Sequence, residues 1–317
     1  MKTWSKTILA FGLCQQTQFV QGFHSSAHLK ANKGFAIGPQ NDVQQNIRLQ
    51  SRGGASSRLS KSFSQSNTFL NSASTAEKEF DTEAVVKYTV AATTEMSLYA
   101  LAFHALDIVL EQFSLTGAIP APAIGFLFYA IALKSRVFNP LNNQRPNLAK
   151  STEETPSTGF RDRVMPSWTP PGVVFPIMWL LIIGPLRAYS STLVVQANEG
   201  LFCTPATLAL IFHLTCGDIW NTINNTEKRY GAAVVGVLTV WASAVFAATQ
   251  YFAVDPLAGK CLGATVIWLT IASALITDTW RLNPSADGKK DPLYPTKETS
   301  AEGSITKFAW FSKEGAN

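Results

Sequence analysis

Charge is scarce in this sequence. Asp, Glu, Lys and Arg make up 15% of its 317 residues, where ordinary soluble domains carry roughly 25%. So little charge, with so much apolar surface, argues against a disordered chain, a coiled coil and a nucleic-acid binder. Cysteine is sparse too. Cys14, Cys203, Cys216 and Cys261 show no Cys-x-x-Cys spacing, and each lies in or beside an apolar run, where cysteine acts as a small hydrophobe. That pattern offers neither a disulfide framework nor a thiolate metal centre. Beyond residue 76 there is no histidine pair, no Cys-His set, no nucleophile elbow and no phosphate-cradling loop, so the common sequence signs of hydrolytic and nucleotide chemistry are missing. What is plentiful is apolar: 46% of the chain, with eight Trp and twenty Phe. A chain of this kind belongs largely in lipid.

The formal charge of +5 is unevenly placed. Residues 1–76 hold eight Lys or Arg against Asp42 alone, a net of +7, while residues 77–317 hold eighteen against twenty acids, a net of −2. Lys2 and Lys6 precede a short apolar run over 7–14, and small residues follow near Val20-Gln21-Gly22. That is the order of a signal peptide over residues 1–22, with an apolar run too short to span a bilayer. Residues 23–76 are Ser-rich and basic and read as a transit-like, disordered leader. The junction Val20-Gln21-Gly22-Phe23 resembles the two-part leaders of algae with complex plastids, in which an aromatic residue follows the cleavage point. The expected location is a plastid membrane. A plain secretory signal followed by a linker, with an endoplasmic-reticulum or endomembrane location, is the alternative.

Five uncharged runs follow: 112–133, 164–186, 200–217, 231–254 and 261–277. About 20 residues cross a hydrocarbon core of about 30 Å, so five transmembrane helices are expected. The charges of the connections agree. The segment 134–163 holds six Lys or Arg, Lys228 and Arg229 follow the third run, and the tail from Arg281 to Lys313 holds six more; between the fourth and fifth runs stands only Lys260. By the positive-inside rule the first loop and the C-terminus share the cytosolic or stromal side. Residues 84–113 form one more helix, with apolar residues at Val86, Val90, Leu98, Leu101, Leu106 and Val109 interrupted by Lys87, Glu95, His104, Asp107 and Glu111. So many charges favour an amphipathic helix at the interface or packed on the periphery of the bundle; a sixth span is the alternative. A polar tail, 285–317, closes the chain. The Gly259-x3-Gly263 pair allows close helix approach.

Two stretches carry a more specific signal. One is Pro166-Ser-Trp168-Thr-Pro170-Pro171-Gly-Val-Val-Phe175-Pro-Ile-Met-Trp179. The other is Trp268-Leu-Thr-Ile-Ala272-Ser-Ala-Leu275, followed by Trp280-Arg281-Leu-Asn283. With Asp255-Pro-Leu-Ala-Gly259 between the last two helices, they resemble the TspO/translocator family, also called tryptophan-rich sensory proteins or peripheral benzodiazepine receptors. The resemblance covers residues 118–284. It implies an all-α membrane protein, a five-transmembrane-helix TspO-like bundle, here with the extra N-terminal amphipathic helix. It further implies a ligand pocket opening toward the first loop, for tetrapyrroles such as haem and protoporphyrin, sterols or synthetic ligands. The sequence departs from the family pattern in the third helix, where Gly217 replaces the usual Asn and Asn224-Asn225 a Phe pair. In the fifth, Ala264-Thr265 replaces Pro-Tyr and Thr277 the Tyr of a sterol-recognition pattern.

The residues expected at the pocket are Trp168, Phe175, Trp179, Trp220, Asn221, Trp268, Ala272, Leu275, Trp280 and Arg281. Indole faces stack on a flat ring, and an arginine pairs with its carboxylates. Counting helical rise places Arg187 near the sparsely charged face, snorkelling to water, about 20 Å in depth from Asp218; Asp218 is then expected to pair with Arg281. The function implied is binding of a tetrapyrrole or related lipid, for transport, buffering or signalling, with the bilayer as environment, no covalent cofactor, no metal and no nucleic acid. A homodimer is one state open to such a bundle. The alternatives are a structural or assembly subunit of a plastid membrane complex and a weak porphyrin-degrading enzyme.

Overall fold

The computed structural model describes residues 78–133, 139–142, 163–285 and 288–309. The signal and transit readings of residues 1–76, and most of the first loop, lie outside the described residues. Among the described residues the chain forms a short strand β1 (Lys78–Phe80) and helices α1 (Thr82–Gln112), α2 (Ala121–Leu133), α3 (Val174–Ala197) and α4 (Pro205–Asn221), the last continued by a π-helical turn over Thr222–Thr226. Helices α5 (Tyr230–Val254) and α6 (Pro256–Leu282) and a second strand β2 (Thr296–Glu298) complete it. Helices α3, α5 and α6 are long and apolar enough to cross a membrane, and α2 is a shorter apolar helix. The protein is an all-α membrane protein, its two strands forming only a small antiparallel pair with Glu79 opposite Lys297. Helix α5 packs along α6 and α4, α3 packs on α2 and α6, and α1 packs on α4.

Helix ends follow local chemistry, and in the first half of the bundle they move the expected spans. The expected run from 112 is divided by a turn in which Ser114 and Gly117 take positive φ, and α2 begins only after Pro120. The second helix begins at Val174, because Pro166, Pro170 and Pro171 keep the preceding stretch out of it. It then continues through Arg187 to Ala197. Within it, Ile177–Ile183 is π-helical. Pro185 supplies no N–H to the preceding turn, which is a recognised cause of such a disruption. Tyr129 of α2 donates its hydroxyl to the Leu180 carbonyl at 2.9 Å, satisfying one of the groups the irregular turn releases. Thr204 and Thr207 close a capping box at the start of α4, and Asp255 caps α6 by accepting from the Ala258 amide at 2.7 Å.

Helix α1 lies along the bundle rather than across its end. Tyr88 hydrogen-bonds Glu227 beyond the foot of α4, Glu95 lies near Asp218 in its last turn, and Asp107 accepts from the Phe202 and Cys203 amides ahead of it, each at 2.8 Å. The chain of contacts runs antiparallel to α4 over most of its length. Three of the five polar residues that favoured an interfacial helix are accounted for: Glu95 and Asp107 face protein, and Lys87 bonds Glu83 and the Thr306 carbonyl, while His104 and Glu111 are exposed. The exposed residues of the helix include Val86, Val90, Leu101 and Val109, with His104 and Glu111 exposed toward its end. At the far end Phe103, Phe128 and Phe202 bring α1, α2 and the α3–α4 loop together, with ring centroids 5.8–6.2 Å apart.

The tail folds back over the opposite end. Trp280 donates to the Asp291 carbonyl at 2.7 Å and the Asp291 carboxylate accepts from the Gly231 amide at 3.0 Å. Only glycine permits this approach, since a Cβ at 231 would stand 2.0 Å from the Pro292 oxygen. The clasp is completed by Asp81, fully buried, which accepts from Arg229 at 2.6 Å and from the Ser304 hydroxyl at 2.7 Å. Burial alone would raise the Asp81 pKa, but the Ser304, Ala84 and Arg229 hydrogen bonds outweigh it and hold the carboxyl below its ordinary value. A carboxyl lowered in the folded state stabilises at pH values above its unfolded pKa, about 3.9, and that contribution is lost as pH falls through the folded value. Amide exchange across 296–306 is therefore expected to stay slow above about pH 5 and to quicken below about pH 4. Asp81→Asn is expected to weaken docking by about 2 kcal/mol at neutral pH, the worth of a charged hydrogen bond, and to abolish the acid step.

Candidate functional site

Helices α2 to α6 enclose one described cavity of about 140 Å³. The wall is aromatic on the side of α3 and α6, where Phe175 and Trp268 meet edge to face with centroids 5.7 Å apart. The ring of Trp220, from α4, lies against Gly236 of α5, where a Cβ would come within 3.0 Å of it, and its indole N–H donates to the Ala233 carbonyl at 3.1 Å. Asn221 folds onto its own helix, donating to the Gly217 carbonyl at 3.0 Å and accepting from Asn225 at 2.9 Å.

Of the residues expected at a pocket, Phe175, Trp179, Trp220, Asn221, Trp268 and Ala272 line this cavity. Four do not. Leu275 is buried beside Phe175 and Trp268 in the layer behind the wall. Trp168 is exposed and donates its indole N–H to Asp278 at 2.9 Å. Trp280 holds the tail, with Lys290 over its ring at 5.3 Å. Arg281 is 63% exposed and pairs with Asp278 at 3.3 Å, so the expected Asp218–Arg281 ion pair is not formed.

The polar residues of the cavity are the ones that helical counting misplaced. Arg187 does not snorkel; it is 4% exposed and lines the cavity together with Asp218. The reason lies in the helix ends. With α3 running on to Ala197 and α4 starting at Pro205, Arg187 lies about 15 Å and Asp218 about 20 Å from the same end of the bundle, at 1.5 Å per residue. The two are near-level neighbours within Coulombic range. The Arg187 guanidinium stands over Trp179 at 5.3 Å and donates to Nε2 of His213 at 2.6 Å. Because arginine is only a donor, Nε2 accepts, and the imidazole is neutral with its proton on Nδ1. That N–H faces the Val240 carbonyl and the Ser243 hydroxyl, both at 3.1 Å.

Two donors at this cavity are left over. Arg187 Nε and Trp268 Nε1 are buried and have no hydrogen-bond partner among the described residues. On the α1 side, the Glu95 carboxyl is 1% exposed and lies near Asp218. His213 and Glu95 were not legible as site residues, since each stands singly in an apolar or mixed run and its partners are distant in sequence. No group of His, Cys, Asp and Glu among the described residues is arranged to hold a metal ion.

Comparison with known proteins places this bundle. The model of the TspO/MBR family matches residues 146–281. Protein CrtK of Rhodobacter capsulatus is 29% identical over 135 residues, 41% of this chain and 81% of that one. A tryptophan-rich sensory protein of Cereibacter sphaeroides is 28% identical over 120 residues, 37% of this chain and 72% of the relative. The matched stretch contains the π-bent α3 and the Trp, His, Arg and Asp residues of the cavity, while α1 with Glu95 lies outside it. An integral membrane bundle with both tryptophan motifs facing one cavity, and a family match across α3 to α6, make this chain a member of the TspO/MBR family.

Proposed function

We propose that the cavity receives the carboxylate-bearing edge of a flat amphiphile, a tetrapyrrole first among them, and that the protein binds, buffers or hands over this ligand in a plastid membrane. The observation that carries the reading is the pair of unpartnered donors, Arg187 Nε and Trp268 Nε1, at a cavity walled by Phe175, Trp179 and Trp220. Unsatisfied buried donors are costly, and a carboxylate oxygen would satisfy them while the ring stacks on indole. At about 140 Å³ the cavity is below the roughly 300–1,000 Å³ of a drug-sized ligand's pocket. Binding therefore opens it, and the π turn of α3 is the irregular element beside it. Helix α1 is read as a sixth membrane-crossing helix, supported by its position along α4 and by the exposed Val86, Val90, Leu101 and Val109. The reading is of a binding protein rather than an enzyme, because His213 is committed on both nitrogens and the buried Ser243 hydroxyl beside it donates to the Val240 carbonyl at 2.8 Å.

Purified full-length protein titrated with protoporphyrin is expected to show saturable quenching of Trp fluorescence. Trp268→Phe, which keeps the ring and removes the N–H, is expected to weaken binding about tenfold, the worth of one buried hydrogen bond to a charged acceptor. Trp241→Phe, on the outer face of α5 and bonded to Thr270, is expected to leave it unchanged. Quenching that never saturates, or equal affinity in both variants, would sink the reading.

A further inference from the structure

We infer that His213 sets the selectivity of the cavity: it is a positioning residue that fixes the Arg187 guanidinium while leaving its charge to act on a ligand's carboxylate. The inference rests on the anion-binding reading and names the residue that makes that site prefer an anion to its neutral counterpart. Its basis is a line of hydrogen bonds through three helices. Arg187 of α3 donates to Nε2 of His213 on α4 at 2.6 Å, and Nδ1 of His213 stands 3.1 Å from the Val240 carbonyl of α5. Both ends dictate the same tautomer. Arginine has no acceptor, so Nε2 accepts; a carbonyl has no donor, so Nδ1 carries the proton. The line is closed to solvent, with Arg187 4% and His213 2% exposed. The Ser243 hydroxyl donates to the same carbonyl at 2.8 Å and lies against Nδ1. The imidazole cannot turn without losing bonds at both nitrogens. It therefore holds the guanidinium over Trp179, at 5.3 Å, with Nε left over at the cavity.

The nature of the acceptor decides what the guanidinium can still do. A carboxylate at position 213 would make a stronger, charge-assisted bond to Arg187. It would also close a buried ion pair, and the positive charge would be neutralised before any ligand arrived. A neutral imidazole restrains the same group and takes none of its charge. This matters because the electrostatic balance at the cavity is close. Asp218 lines the same cavity within Coulombic range of Arg187, and Glu95 lies near Asp218. Another carboxylate, hydrogen-bonded directly to the guanidinium, would turn the site against an anion. The Trp179 face adds attraction for the guanidinium without adding a negative charge. Both groups that touch the Arg187 head, an imidazole and an indole, are therefore uncharged, and the carboxylate that would complete the pair is the ligand's.

The test compares two substitutions of one shape. His213→Gln offers Arg187 a neutral amide oxygen, and His213→Glu offers a carboxylate oxygen at the same reach. Full-length protein in lipid nanodiscs at neutral pH is titrated with protoporphyrin, the diacid, and with its dimethyl ester, the uncharged probe. The unaltered protein is expected to prefer the diacid by about tenfold, the worth of one hydrogen bond between charged groups. His213→Gln is expected to keep that preference. His213→Glu is expected to lose it, with diacid affinity falling about tenfold or more and ester affinity unchanged. Retained ester binding shows that the cavity of each variant is intact, and a purely structural role for His213 would not separate diacid from ester. If the two variants bind the diacid alike, or if His213→Gln loses the preference, the assignment is overturned and the binding reading stands. If His213→Glu fails to fold, the other two chains decide: a preference under about twofold in the unaltered protein, or its loss in His213→Gln, overturns the assignment. If the unaltered protein binds neither probe saturably, the binding reading itself falls.

Discussion

An Arg187→Met chain is expected to be about 3 kcal/mol less stable than the parent, the low end of what removing one partner of a buried charge pair costs. Three interactions go at once. The guanidinium hydrogen bond to His213 at 2.6 Å and the cation–π contact with Trp179 at 5.3 Å are lost, and the Asp218 carboxylate loses the counter-charge near it. Methionine fills the volume left by the arginine stem, so cavity formation is a small part of the loss. The Coulombic share is separable. Asp218→Asn added to Arg187→Met removes the stranded charge and is expected to return more than half of the stability, whereas Asp218→Asn alone strands Arg187 and is expected to cost a similar amount. Denaturant unfolding of the four chains in one detergent, followed by helical circular dichroism, closes the cycle. A loss under about 1 kcal/mol for Arg187→Met, or additive effects, would show that the two charges do not balance each other.

The same residues show where the sequence was readable. Helix α5 was legible because its apolar run, 231–254, ends at the group that caps it, Asp255; the run of α6 was cut short at Lys260 and Asp278, and the helix reaches from Pro256 to Leu282. Six of the ten expected pocket residues line the cavity, because helical spacing alone puts Phe175 with Trp179 and Trp268 with Ala272. The first half of the bundle was harder. Charge was used to end spans, and that rule fails where a charge is buried. Arg187 looked like the end of a membrane helix and is instead ten residues inside it, followed by Ser190, Ser191 and Thr192, all buried. Ending the span there shifted every depth derived from it and moved Arg187 away from Asp218. The charges of α1 misled in the same way. Glu95 and Asp107 look like a water-facing stripe, yet one is buried against the bundle and the other accepts from two backbone amides. Trp168 and Trp280 read as pocket aromatics because tryptophan ends the same motifs. Their indole N–H groups are spent on Asp278 and on the tail.

The largest backbone effect is expected at the junction of α5 and α6, where one glycine of the Gly259-x3-Gly263 pair is indispensable and the other is not. A Cβ on Gly259 would lie 2.3 Å from Phe252 Cβ, 2.4 Å from its Cα and 2.6 Å from its nitrogen. Two of those atoms are backbone, so no rotamer change relieves the clash, and the ends of the two helices must separate. Gly259→Ala is expected to cost about 3 kcal/mol or more, the upper end for overpacking a core, and to loosen the junction that orients Trp268 three turns along α6. At Gly263 the nearest neighbour of a Cβ is that of Ala248, at 3.9 Å, an ordinary contact. There alanine adds packing and removes the entropy that glycine carries in the unfolded chain, so Gly263→Ala is expected to stabilise by about 0.5–1 kcal/mol. The opposite signs discriminate between explanations. If small residues were needed along the whole face so that the helices could touch, both substitutions would destabilise. If only the turn demands close approach, the two differ by about 4 kcal/mol, which the unfolding midpoints of the two chains, measured side by side in one detergent, would resolve.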